Sequence, residues 1–205
     1  MSHLRFREYY RRRLPHIQIS GSTYFVTFRL KDSLPRPVLQ ELTEESERNK
    51  QLPLDIIDLA QRRWFGKFDE YLGRGLCGEM FLRNELVANI VAEAIRYRDG
   101  KVYTLDAFTI MPNHGHLVFT PLEKDKGVYY SLTEILQSLK RHTARKANEV
   151  LGRSGAFWQD ESYDHIVRNQ AELERIIQYV INNPVKAGLV EDWKKWKWTY
   201  CKYDL

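Results

Sequence analysis

Two β-rich runs, Tyr103 to Ile110 and His114 to Thr120, flank the short connection Met111-Pro112-Asn113. Proline presets φ and asparagine tolerates a tight conformation, so this stretch predicts a hairpin and commits the middle of the chain to antiparallel β-structure. Strand alternation then puts His114, His116 and Val118 on one face, with the two imidazoles at the strand's mouth. Two histidines so placed either converge on one metal ion or serve as hydrogen-bonded strand residues, and the pair alone does not decide between these.

The rest of the chain predicts an α+β fold. Ser22 to Leu30 alternates as Tyr24, Val26, Phe28 and Leu30 against Phe25, Thr27 and Arg29, a strand with one face in the core. Residues 32–53 turn polar around Pro35, Pro37 and Pro53 and read as an insertion without chemistry. Asp55 to Leu72 and Asn84 to Arg98 read as scaffold helices, the second capped by Asn84. Ser131 and Glu134 have capping-box spacing ahead of a helix running to about Val150, with Lys140, Arg141 and Arg145 facing outward. Tyr163 to Val167 reads as a last strand. A helix capped by Asn169, with Glu172 at box spacing, carries the stripe Leu173, Ile176, Ile177 and Val180 down to Pro184. The order of elements matches a ferredoxin-like split βαβ core, an antiparallel sheet with helices packed on one face.

Composition bounds the function. With 205 residues and 43% hydrophobic content, one domain is expected, comprising a basic arm (1–20), the polar insertion (32–53) and an aromatic, basic tail (191–205). No run approaches the ~20 apolar residues of a membrane span, and no apolar stretch follows the basic start as in a signal peptide, so a cytoplasmic protein is expected. Cys77 and Cys201 have no metal-site spacing and predict neither a disulfide framework nor a zinc ribbon. The net charge is +5 with a pI near 9.1, and Arg5, Arg7, Arg11, Arg12 and Arg13 crowd the start. Such an arm either contacts phosphates or is a solvated tail.

On the last helix Tyr179 falls at the edge of the apolar stripe, where a ring can look into a cleft, and Asn183 follows one turn later on the same face. Pro184 disfavours helical geometry at Asn183. Three ordered segments now stand together: Met111 to His116, Phe157-Trp158-Gln159, and Tyr179 to Val190. They resemble the IS200-type single-tyrosine transposases, and within them the REP-associated tyrosine transposases, over roughly Gly21 to Tyr200.

That resemblance implies an HUH endonuclease fold in which His114 and His116 bind a divalent metal, Asn183 supplies a third ligand and Tyr179 attacks single-stranded DNA. It implies a 5′-phosphotyrosine intermediate, hairpins of palindromic repeats as partner, and Mg²⁺ or Mn²⁺ in an open, exchangeable site. Gly115 stands where the family carries a bulky apolar residue, which predicts lost packing behind the site. Substrate contacts are expected from Arg11, Arg12, Arg13, Lys140, Arg141 and Arg145. The tail's alternating aromatics and lysines either stack bases or cover the sheet; the resemblance implies packing for Trp198 and Tyr200. His142 and His165 are expected to be non-ligands. A second reading is a catalytically inactive hairpin-binding protein; a relaxase is disfavoured because no second tyrosine neighbours Tyr179. The protein is expected to be a monomer or a homodimer, with Tyr179 serving its own or a partner's histidines.

Overall fold

A computed structural model describes residues 6–11, 15–19, 21–75 and 77–204, the first two stretches and positions 54, 55 and 58 by backbone alone. In chain order the strands are β1 (Phe6–Arg11), β2 (Pro15–Ile19), β3 (Tyr24–Arg29), β4 (Tyr103–Ile110), β5 (His114–Pro121), β6 (Glu123–Asp125), β7 (Val128–Tyr129), β8 (Tyr163–Ile166) and β9 (Thr199–Cys201). The helices are α1 (Arg36–Asn49), α2 (Leu54–Arg74), α3 (Glu85–Arg98), α4 (Leu132–Val150) and α5 (Gln170–Lys186).

The central sheet has the order β8-β3-β5-β4-β9 and every pairing in it is antiparallel. Its first four strands have the split βαβ order, with α3 crossing from β3 to β4 and α4 from β5 to β8. The hairpin forms as its turn residues require: Ile110 pairs with Gly115, and Met111 N–H donates to the His114 carbonyl at 2.8 Å. The α3 cap is Asn84, which accepts from Leu86 and Val87 N–H, and Ser131 and Glu134 close a reciprocal capping box on α4. On α5 only half of the expected box exists: Asn169 accepts from Glu172 N–H, but the Glu172 carboxylate turns instead to Arg168 N–H and His165.

The expectation of helices on one face is corrected here. Tyr24, Val26, Phe28 and Leu30 meet α3 and α4 in the main core, whereas Phe25, Ala107 and Val118 on the opposite face meet α5, with Phe65 of α2 packed alongside. All six residues of β3 are therefore buried, not one face of them. The reason lies in residues 32–75. Leu34 and Leu42 pack on Phe68 and Leu72, Trp64 donates to the Leu42 carbonyl, and Lys67 pairs with Glu41 and Glu45, so α1 braces α2 as a second helical layer. The tail completes the sheet: Tyr200 stacks on Phe108 at 6.0 Å, and the Trp196 and Trp198 indoles donate to the Ile110 carbonyl and Asn89. These aromatics cover the sheet, as the packing alternative holds. No helix among the described residues is long and apolar enough to cross a membrane.

Candidate metal centre and nucleophile

The site lies on the face covered by α2 and α5. Register places His114 opposite Arg29 and His116 opposite Thr27 and Thr109, so alternation delivers both histidines to that face. Both are buried, at 1% and 0% exposure, and their Nε2 atoms lie 3.2 Å apart.

What fixes the rings is a set of contacts behind them. Asn113 Nδ2 donates to the Leu72 carbonyl at 3.0 Å, which leaves Asn113 Oδ1 as the acceptor facing His114 Nδ1 at 2.7 Å. His114 therefore carries its proton on Nδ1 and presents a lone pair at Nε2, the tautomer of a metal ligand. His116 Nδ1 is held by Thr27 Oγ1 at 2.8 Å, and the Phe25 ring stacks on its imidazole at 5.7 Å. Burial, then the neighbouring His116, push the His114 pKa down to about 3, so this ring is neutral at physiological pH.

Asn183 stays helical, because α5 runs through Pro184 to Lys186. Its Nδ2 lies 3.2 Å from His116 Nε2, so the amide must turn over for its oxygen to serve as a ligand. The structure adds a residue that sequence reasoning missed. Asp69 of α2 is buried, and its Oδ1 lies 3.3 Å from His116 Nε2 without a hydrogen-bond partner among the described residues. Asp69, His114 and His116 place their ligand atoms within 4.8 Å of one another. Burial alone would raise the Asp69 pKa, but the contact with the His116 imidazole holds it below the usual carboxylate range. The sequence did hold a signal: Asp69 falls four residues after Phe65 in a stripe with Phe68 and Leu72, and an acid on an apolar stripe needs a partner.

Two buried imidazole nitrogens, a buried carboxylate and a nearby amide make a set of nitrogen and oxygen donors that fits a divalent cation. Tyr179 of the same chain lies beside them, its ring 5.5 Å from that of His116 and edge-on to it. Its hydroxyl is buried with no hydrogen-bond partner among the described residues. Burial and then the Asp69 charge push its pKa well above that of an ordinary tyrosine.

The expectation for Gly115 is also corrected. A Cβ there would lie 2.7 Å from Phe28 Cζ, and Phe28, directly across the strands, is 1% exposed. The phenyl ring occupies the space that a larger residue would take, so the site is packed from behind.

Among the expected DNA contacts, Arg12 and Arg13 lie outside the described residues, and Arg11 ends β1 with its side chain not described. Lys140, Arg141 and Arg145 are on α4, across the sheet from the histidines. Lys140 is half-buried and donates to the Gln159 and Asp160 carbonyls, so it does not face outward freely. Arg145 pairs with Glu149, and Arg141 is exposed. Of the other histidines, His165 contacts Glu172 at 3.2 Å and His142 is exposed on α4; neither joins the metal-ligand cluster.

The family described as "Transposase IS200 like" matches residues 80–183. A Haemophilus influenzae protein named as a REP-associated tyrosine transposase is 29% identical over 104 residues, covering 48% of this chain and 59% of that protein. The REP-associated tyrosine transposase of Escherichia coli is 23% identical over 111 residues, covering 54% of this chain and 62% of its own. The chain thus matches about three-fifths of the length of these relatives. A solved structure described as a REP-associated tyrosine transposase bound to a REP hairpin has a TM-score of 0.49 and 19% identity, covering 97% of this chain and 82% of that one. The family match spans half of the chain and includes His114, His116, Tyr179 and Asn183, while Asp69 lies ahead of it: the chain belongs to the IS200-like transposase family.

Proposed function

We propose that this protein is a metal-dependent single-stranded DNA endonuclease and strand transferase that uses Tyr179 as nucleophile on hairpin-bearing DNA. The observation that carries the reading is the buried, unpartnered Tyr179 hydroxyl lying against the cluster of Asp69, His114 and His116. His114, His116 and Asp69 would hold the cation, with Asn183 as a fourth ligand. Mg²⁺ and Mn²⁺ suit this open set of nitrogen and oxygen donors. When bound, the ion would supply charge neutralisation at a phosphodiester.

The chain's own residues do the rest. Asn113 and Thr27 orient the two imidazoles, and α5 aims Tyr179 at the site of its own chain. Tyr179 Oη attacks phosphorus, the bond from phosphorus to the 3′ oxygen breaks, and the phenolic proton ends on the departing 3′ oxygen. A 5′-phosphotyrosine and a free 3′-OH result. Because the phosphodiester energy is kept in the tyrosyl bond, a 3′-OH can attack in reverse and rejoin strands without ATP. The raised pKa of Tyr179 keeps the hydroxyl intact until a phosphate enters. Arg141 and the arginine arm with Arg11, Arg12 and Arg13 would supply phosphate contacts; Lys140 and Arg145 serve only if they exchange their present partners.

A second reading, an inactive hairpin-binding protein, draws on the full burial of His116 and of the Tyr179 hydroxyl, which closes the site in this conformation. One experiment separates the two. Wild type and Tyr179→Phe are incubated with labelled hairpin-bearing single-stranded DNA, with Mg²⁺, with Mn²⁺ and with EDTA, and run on a denaturing gel. A metal-dependent covalent band lost in Tyr179→Phe is the expected result. A band retained in the variant would remove Tyr179 as nucleophile, and hairpin binding without any band would favour the inactive protein.

A further inference from the structure

Beside Tyr179 a cleft of about 300 Å³ opens between α2 and α5. Its walls include the rings of Phe25, Phe65 and Tyr163, with Phe65 and Tyr163 stacked on each other at 4.4 Å. Tyr179 and Asp69 line its inner end, while Arg62, Arg175 and Lys186 line it with cationic groups. Arg175 and Lys186 are exposed and form no ion pair among the described residues. Of the two buried acids on the cleft, Asp69 belongs to the metal-ligand cluster and Glu172 is held by Arg168 N–H and His165. A dry packing void would have no such cationic edge.

Gly66 gives a second, independent observation. It sits in the middle of α2 and lines the cleft, and a Cβ there would meet nothing within 4 Å. Glycine inside a helix is unfavourable against alanine, and neither backbone conformation nor packing within the protein requires it here. A glycine with open space in front of it suits the close approach of a ligand.

We propose that this cleft receives an unpaired nucleobase of the single strand next to the phosphate attacked by Tyr179. The apolar, aromatic walls take the face of the base, the missing side chain at Gly66 admits its edge, and Arg175 and Lys186 meet the flanking phosphates. The proposal rests on the reading of Tyr179 as nucleophile, because that reading places a phosphate at the inner end of the cleft.

The test compares two labelled probes by fluorescence anisotropy: a single-stranded oligothymidylate, and an abasic sugar-phosphate oligonucleotide of equal length. Wild type is expected to bind the base-bearing probe about tenfold more tightly, in the range of base–aromatic stacking. Gly66→Leu, which fills the cleft, is expected to lose that tenfold on oligothymidylate and to keep its affinity for the abasic probe. Equal losses on both probes, or no loss on either, would overturn the proposal. A retained Mn²⁺-induced rise in Tm confirms that the variant is folded. Should it fail to fold, photocrosslinking of wild type to a 5-iodouracil oligonucleotide takes its place: crosslinks to Phe65 or Tyr163 support the cleft, and crosslinks confined to other residues overturn it. The covalent-band assay reads the chemistry separately. Base-dependent binding without a band would leave the cleft standing and the nucleophile refuted; a band with unaltered Gly66→Leu binding would do the reverse.

Discussion

The two faces of the central sheet carry different jobs on the same strands. Toward α3 and α4 the strands present Tyr24, Val26, Phe28, Leu105, Phe108, Leu117 and Phe119, a closed apolar core. Toward α2 and α5 they present Thr27, Arg29, Thr109, His114 and His116, polar groups that are equally buried. Buried polar groups lower stability unless they are partnered, so the second face needs a specific network beside its smaller apolar cluster of Phe25, Ala107 and Val118 on α5, whereas the first is held by area alone. One core residue backs the site from the opposite face: Phe28 fills the space over Gly115, the residue between the two histidines in the strand. The comparison teaches that stability and chemistry are separated by alternation along β3 and β5, one residue apart.

The largest effect should come from the apolar face. Phe28→Ala is expected to lower the unfolding free energy by about 3–5 kcal/mol, since it leaves a cavity in a closed core; urea unfolding measures this. A loss under ~1 kcal/mol would mean that the core collapses around the gap and that this face is not the stabilising one.

The site face should respond to metal instead. For wild type, Mn²⁺ at a hundred times its Kd is expected to add about 2.7 kcal/mol of stability, read as a rise in Tm that EDTA reverses. Asp69→Asn should retain less than half of that gain at the same Mn²⁺ concentration. An equal gain in the variant would assign the ion to His114, His116 and Asn183 alone.

Gly115→Val tests the backing of the site by Phe28. Restoring bulk there is expected to cost about 1–3 kcal/mol by overpacking against Phe28, and Phe28→Leu in the same chain should return part of it, a coupling of about 0.5–3 kcal/mol in a double-mutant cycle. Additive losses would show that the two residues do not share space.

The smallest effect lies at the α4 cap. The hydrogen bond from Lys124, followed by that of Ser131 N–H, holds the Glu134 pKa down at about 2. A lowered folded-state value means that the contribution is present above the unfolded value near 4.5 and is lost as pH falls through the folded one. Because the carboxylate is exposed to solvent screening, it is worth no more than about 0.5 kcal/mol. The Tm difference between wild type and Glu134→Gln should therefore shrink between pH 5 and pH 2. A constant difference would place the contribution in helix propensity instead.

Much of this is legible in the sequence. Turn chemistry at Pro112-Asn113 marked the hairpin, alternation paired His114 with His116, caps at Asn84, Ser131 and Asn169 marked three helices, and helical spacing put Tyr179 and Asn183 on one face. Those features are local, and period and capping encode them directly. The polar stretch at 32–53 was opaque for the opposite reason. Its amphipathic helix only makes sense as a brace for α2, and although Asp69 falls on the apolar stripe of α2, nothing local says which distant partner it meets.

The sequence by itself determined the elements, the hairpin and the pairing of His114 with His116, because each follows from spacing within one strand or one helix, while the nucleophile role of Tyr179 came from the family resemblance of its segment. Only the tertiary structure decided that both sheet faces are covered, that Asp69 joins the histidines from a helix 45 residues upstream of His114, that Phe28 replaces the bulk missing at Gly115, and that the tail's aromatics close the sheet. Each of these depends on the meeting of segments far apart in the chain, and no local periodicity records which distant side chain will fill a space or share a charge.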